Sequence, residues 1–211
     1  MSATASMPTA PSMPSTLATT STANVPKPLS SPSPQWSRSA MLRKCAHAFC
    51  MALRSSEFNA HTFVSTFFVE EGATIIEHGP NWARKKLPFL GQTFEGREGC
   101  VQYFERLGHT LRMKLSQEAF PPDDELCVDP DTKVAGLELK GMVCVTGKGH
   151  FEHRGSGWSW NETFIYRLCG FDEDGRIARW EIWADPLSAW EAANISTNGE
   201  NNGDQTEAVH D

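Results

Sequence analysis

Between Gly157 and Trp190 the chain reads GWSWNETFIYRLCGFDEDGRIARWEIWADPLSAW, and its first half alternates with a period of two. Trp158, Trp160, Glu162, Phe164, Tyr166 and Leu168 share one parity, while Ser159, Asn161, Thr163, Ile165, Arg167 and Cys169 share the other. A strand sends the two sets to opposite faces, so one face gathers large apolar groups around a single carboxylate. The acidic segment Asp172-Glu173-Asp174-Gly175 predicts a turn, and a second strand follows in which Trp180, Ile182 and Ala184 oppose Arg179, Glu181, Trp183 and Asp185. Pro186 ends that strand and opens a short helix.

Upstream the period changes. Met41, Cys45, Ala48, Phe49, Ala52 and Leu53 recur every three or four residues, the stripe of an amphipathic helix, and Asn59 caps a second, shorter helix carrying Phe63, Phe67 and Phe68. The β-branched run from Ala73 to His78 predicts a short strand closed by Gly79-Pro80. Residues 81–95 read as a loop, yet Trp82, Leu87, Phe89, Leu90 and Phe94 make it apolar enough to fold over something. A third helix from Arg97 to about Gly108 turns Val101, Phe104 and Leu107 inward. Alternation at Leu111, Met113 and Leu115, and again at Leu137, Leu139, Val143 and Val145, predicts two strands flanking a Pro- and Asp-rich loop at Phe120–Thr132. Glycines from Gly147 to Gly157 suggest a turn before the final hairpin. The expected fold is α+β: a strongly curved antiparallel sheet with about three N-terminal helices on its concave face, enclosing a pocket.

Composition sets the boundaries. Residues 1–35 are nearly all Ser, Thr, Ala, Pro and Met, too poor in apolar groups to offset the entropy of ordering, and read as a disordered tail. The folded domain spans 36–193, and 194–211 reads as a second disordered tail. A mitochondrial transit peptide is the alternative for the first tail, but no Arg precedes Arg38. A net charge of −7 argues against nucleic acid as a partner, and Arg84-Lys85-Lys86 is too short a basic run to alter that. The sequence shows neither a bilayer-spanning apolar run nor a secretory signal, so no membrane partner is expected. Cys45, Cys50, Cys100, Cys127, Cys144 and Cys169 have no paired spacing and read as reduced, buried thiols of a cytoplasmic protein, in which the glycosylation patterns at Asn161 and Asn194 would stay idle.

From Ser37 to Ala193 the chain resembles the SnoaL-like branch of the nuclear-transport-factor-2-like superfamily. The resemblance rests on Ala73 to Pro80, on Thr93-Phe94-Glu95-Gly96-Arg97-Glu98-Gly99, and on Asp174-Gly175-Arg176-Ile177 running through Trp180 to Ala184-Asp185-Pro186. It implies a cone-shaped α+β fold with a small apolar pocket, homodimers through the outer sheet face, and activities from ketosteroid isomerisation and polyketide cyclisation to dehydration and epoxide hydrolysis, alongside members that only bind.

Two alignments of the first strand place a catalytic group on adjacent residues. Matching the ketosteroid-isomerase strand puts a general base at Glu77, whereas matching the water-holding position of limonene-type epoxide hydrolases puts a polar group at His78. Neighbours on a strand face opposite ways, so only one can reach the pocket. Glu162 is a second candidate acid or base, since a carboxylate among aromatic groups loses solvation and gains protons. Tyr166 would supply a hydrogen bond to a developing oxyanion. Trp158, Trp160, Phe164 and Trp180 would form walls. Ile182 stands where the epoxide hydrolases carry a catalytic Asp, which counts against that reaction, and Asp185 reads chiefly as a helix cap beside the substrate. His150 and His153 lie three residues apart, a spacing that separates them on a strand, so no metal is expected, and no cofactor either.

The reading is a cofactor-independent isomerase, dehydratase or cyclase acting on a small apolar, carbonyl-bearing molecule, with secondary metabolism as its expected setting. Its rival is a non-catalytic ligand-binding or dimerisation module of the same fold, and a docking role for the Pro/Ser-rich tail is a third possibility.

Overall fold

The computed structural model describes residues 37–195. The tail at 1–35 lies outside them, as does all of the second tail beyond Ile195, while Asn194 closes a helix rather than beginning a tail. Helices α1 (Arg38–Leu53) and α2 (Ala60–Phe67) precede strands β1 (Thr74–Glu77) and β2 (Gln92–Glu95). Then come α3 (Gly96–Thr110), strands β3 (Leu111–Lys114), β4 (Cys127–Lys133), β5 (Lys140–His153), β6 (Ser159–Phe171) and β7 (Ile177–Trp183), and α4 (Pro186–Asn194). No helix among the described residues is long and apolar enough to cross a membrane.

Capping chemistry sets the helix starts. Ser37 accepts from the Ala40 amide at 3.3 Å, Asn59 from Thr62 at 2.9 Å, and Asp185 from Leu187 at 2.9 Å, each satisfying an amide that has no partner within its helix. The buried stripe of α1 is Leu42, Ala46, Phe49 and Cys50, rotated from the expected one, with Met41, Cys45, Ala52 and Leu53 at its margins.

The sheet is curved and unclosed, with the order β2-β1-β7-β6-β5-β3 and β4 pairing the first part of β5. It is mixed rather than antiparallel, because β1 runs parallel to β7. Those strands are separated by α3 and the whole meander, so no tight turn constrains their direction. Strand β2 lies inside a segment expected to be a loop, and β4 takes up the end of another and runs one residue past it. The expected turn at Gly147–Gly157 is also corrected, since β5 continues to His153. Its glycines make room: a Cβ at Gly147 would lie 2.8 Å from the Phe120 ring and against Phe164, and one at Gly149 would lie 2.9 Å from Leu115.

Register carries the inner face from strand to strand. Glu77 pairs with Ile182, which pairs with Tyr166, while one row deeper Ile75 pairs with Trp180 and Trp180 with Leu168. Trp180 joins the sheet to α1 through an edge-to-face contact with Phe49, at 5.1 Å and 81°, and packs edge-to-face on Tyr166 of the neighbouring strand, at 4.9 Å and 87°. Burying each such side chain contributes about 1.5–3 kcal/mol. All six cysteines are free; Cys50, Cys100 and Cys169 are buried, but Cys127 on the edge strand β4 is exposed, contrary to expectation.

Candidate active site

Period-two alternation on β1 buries Ala73, Ile75 and Glu77 and leaves Thr74, Ile76 and His78 on the other face. Glu77 therefore enters the space between sheet and helices, with 6 % of its surface exposed. A cavity of about 580 Å³, counting the space at its mouth, opens there. Its sheet wall is Trp160, Phe164, Tyr166, Trp180 and Ile182, and Leu87, Phe89 and Leu90 from the β1–β2 connection cover another side. That connection is apolar for this reason: it folds over the cavity.

Glu77 accepts a hydrogen bond from the Tyr103 hydroxyl at 2.6 Å. Burial pushes its carboxyl from an ordinary 4.5 up to about 7, against the lowering effect of the Tyr103 bond and with a further upward push from the charge of Glu162. Tyr103, on α3, has its hydroxyl pushed well above its ordinary value, first by burial and then by Glu77. Sequence reasoning missed Tyr103. The available signal was its position three residues after Cys100 and four before Leu107, on the inward stripe of α3.

Tyr166 lies on the same wall, in the row of Glu77 and Ile182. Burial first, then the nearby Cys50, Glu77 and Glu162, raises its hydroxyl well above the ordinary range, so it stays protonated and able to donate. Its Cα and that of Glu77 sit two strand spacings apart, about 10 Å, with Ile182 between them.

Glu162 lines the cavity nearer its rim. The Trp160 indole donates to it at 2.5 Å, and burial raises its carboxyl despite that bond and one from the Asp185 backbone. Asp185 also lines the cavity, but its carboxylate is held low, chiefly by Ser188, whose hydroxyl donates at 2.5 Å. Its carboxylate caps α4 at the edge of the cavity.

Two sequence candidates, His78 and Trp158, lie differently. His78 is on the outer face, stacked on Trp183 at 4.2 Å and 10°, with Nε2 3.6 Å from Glu181. Of the alternatives at the end of β1, Glu77 alone faces the cavity. Trp158 precedes β6, is 54 % exposed, and does not line the cavity. Ile182 does, as a purely apolar patch of wall. Among the described residues no group of three or more His, Cys, Asp or Glu side chains could hold a metal ion. His150 instead pairs with Asn161 at 2.9 Å and His153 with Ser156 at 3.0 Å.

The arrangement suits proton transfer. One carboxyl titrates near neutrality in an apolar enclosure, one tyrosine donates to it, and a second, protonated tyrosine stands two strands away on the same wall.

No protein-family profile and no curated protein matches the chain. Solved structures do. A nuclear-transport-factor-2-like protein from Burkholderia xenovorans superposes with a TM-score of 0.53 at 12% identity, covering 73% of this chain and 96% of that one. A phenazine biosynthesis-related protein from Pseudomonas aeruginosa gives 0.48 at 11% identity, covering 80% and 97%. TerC, co-crystallised with polyporic acid, gives 0.49 at 15% identity, covering 74% and 99%. At 12% identity the likeness to the Burkholderia protein concerns architecture: the chain has the curved α+β fold of a nuclear-transport-factor-2-like protein.

Proposed function

We propose that this chain is a SnoaL-like, cofactor-independent acid–base enzyme, an isomerase, dehydratase or cyclase acting on a small apolar molecule that carries a carbonyl group. One observation carries the reading: Glu77 is buried in an apolar cavity with its carboxyl raised to about 7. An acid so placed exchanges protons with a carbon acid near neutral pH, where an exposed glutamate is too weak a base. In the proposed step Glu77, as the carboxylate, takes the proton next to the carbonyl. Tyr103 holds the carboxyl in place, and Tyr166 hydrogen-bonds the carbonyl oxygen as negative charge grows on it. Returning the proton to another carbon completes an isomerisation.

The test needs no knowledge of the natural substrate. A panel of small β,γ-unsaturated cyclic ketones is followed by NMR in deuterated buffer, reading isomerisation and deuterium uptake. The native chain is expected to accelerate both and Glu77→Gln to remove the acceleration. Catalysis that survives in Glu77→Gln rejects the assignment. Binding of the ketones without catalysis by the native chain favours the rival reading, a ligand-binding module of this fold.

A second copy of the chain is the proposed partner, through the outer sheet face. Ile165 and Trp183 are 46 % and 38 % exposed there, which supports a contact surface. Sedimentation of the full chain over a concentration series tests it, with Trp183→Lys expected to yield monomer.

A further inference from the structure

The polar groups around the cavity are one-sided. Glu77, Glu162 and Asp185 line it, and none of the other lining side chains is Lys, Arg or His. Two of the three acids stand together at the rim, where the Asp185 backbone bonds the Glu162 carboxylate. Their charges do not act in isolation, because Glu162 pushes up Glu77 and Asp185 pushes up Glu162. A ligand bearing a carboxylate or phosphate would add a further negative charge to a low-dielectric space with no cation in its lining, and would lose its own hydration on entry. Lys114 and Lys148 share an adjoining surface depression with Glu162 and His150, but neither lines the cavity.

We infer that Glu162 and Asp185 form an acidic collar that makes the cavity selective for uncharged ligands over anions of the same shape. This deepens the proposed function by naming the substrate class: neutral ketones, aldehydes, lactones or phenols, and not free acids, phosphate esters or coenzyme-A thioesters whose phosphates must enter. The collar determines which ligand enters, whereas Glu77 moves the proton, and Glu162 reaches Glu77 only through its charge. Charge repulsion at a partly buried site predicts that an anion binds at least about tenfold more weakly than its neutral analogue.

The experiment is a saturation-transfer NMR titration of the full chain at pH 8 with acetophenone, benzoate and phenyl phosphate. Acetophenone is expected to bind, and the two anions to bind at least about tenfold more weakly, in line with the repulsion argument. Glu162→Gln and Asp185→Asn remove charge while keeping shape and one accepting oxygen, so each is expected to strengthen benzoate binding by a larger factor than it changes acetophenone binding. Benzoate binding the native chain as well as acetophenone overturns the collar and leaves the cavity reading standing. So does discrimination that persists unchanged in the double variant. If no probe binds the native chain, the ligand site itself is rejected, and the collar falls with it.

Discussion

Two glutamates on adjoining strands, Glu77 on β1 and Glu181 on β7, are almost equally buried, at 6 % and 4 % exposure. Their surroundings differ completely. Glu77 faces inward, where its side-chain partner is a neutral hydroxyl at 2.6 Å and its closest charged influence is another acid. Glu181 faces outward, beside two arginines and an imidazole. Arg167 pairs with it directly, Arg179 lies at 3.7 Å and His78 Nε2 at 3.6 Å. Trp183 stacks on His78 and lies beneath the Arg167 guanidinium at 5.2 Å. Burial alone therefore does not make a carboxyl reactive. A buried acid compensated by arginines is a structural ion pair, whereas one left with a hydroxyl and an apolar wall can exchange protons.

The comparison is most exposed to failure at Glu77 itself. Glu77→Gln preserves an acceptor for Tyr103 but cannot take a proton, and it should lower turnover of a responsive ketone by about 10²–10⁴-fold. The same variant should alter the pH dependence of stability. The folded carboxyl titrates at about 7 instead of 4.5, so between these values the folded chain keeps a proton that the unfolded chain has lost. Its stabilisation is complete below the lower value, declines as pH rises through the window, and is absent above the upper one, an excursion on the order of 3 kcal/mol. Urea denaturation from pH 4 to pH 9 should show that decline in the native chain and a flatter profile in Glu77→Gln. Equal profiles would mean that Glu77 is not buried as an acid.

The sequence made the inner wall legible because a strand repeats every two residues. Phe164, Tyr166 and Leu168 are buried as their parity requires. The same rule showed that Glu77 and His78 face opposite ways, but nothing local said which faced inward. That depends on β1 pairing with β7 in a register set by residues a hundred positions away. Trp158 shares the parity of the wall yet lies beyond the end of β6, where alternation no longer confers burial. Strand β4 was hidden because Cys127–Lys133 is rich in Asp and contains Pro, which an edge strand tolerates on its unpaired side. Tyr103 escaped because a helix with several apolar positions does not say which of them meets a carboxylate on a distant strand.

On the outer face, Glu181→Gln tests the other half of the comparison. It strips a shared charge partner from Arg167 and Arg179. Removing one member of a buried ion pair costs 3–5 kcal/mol in a fully buried setting, but these arginine side chains are 35% and 20% exposed, and water offsets part of the loss. The expected destabilisation is about 2 kcal/mol in low salt, shrinking as salt is added. Catalysis of the ketones should change by less than about twofold, because the charge lies on the far side of the sheet from the cavity. A loss of turnover as large as that of Glu77→Gln would erase the distinction between the two acids.

The smallest expected effect is the most specific. Two neighbours act on Glu77 in opposite directions: the Tyr103 hydrogen bond lowers its titration point and the charge of Glu162 raises it. Tyr103→Phe keeps the ring packed against Phe94, at 5.4 Å, and Trp180, at 5.7 Å, but removes the bond. It should move the acidic limb of the pH–rate profile for the ketones to higher pH. Glu162→Gln removes a negative charge from the cavity and should move the same limb to lower pH. Each displacement should be less than about one pH unit, since each neighbour acts against a larger desolvation effect. Opposite displacements from two conservative changes on different elements cannot arise from loosened packing, which would move both limbs alike. If both variants shift the limb the same way, Glu77 does not set the profile, and the difference between the two glutamates is one of position and not of chemistry.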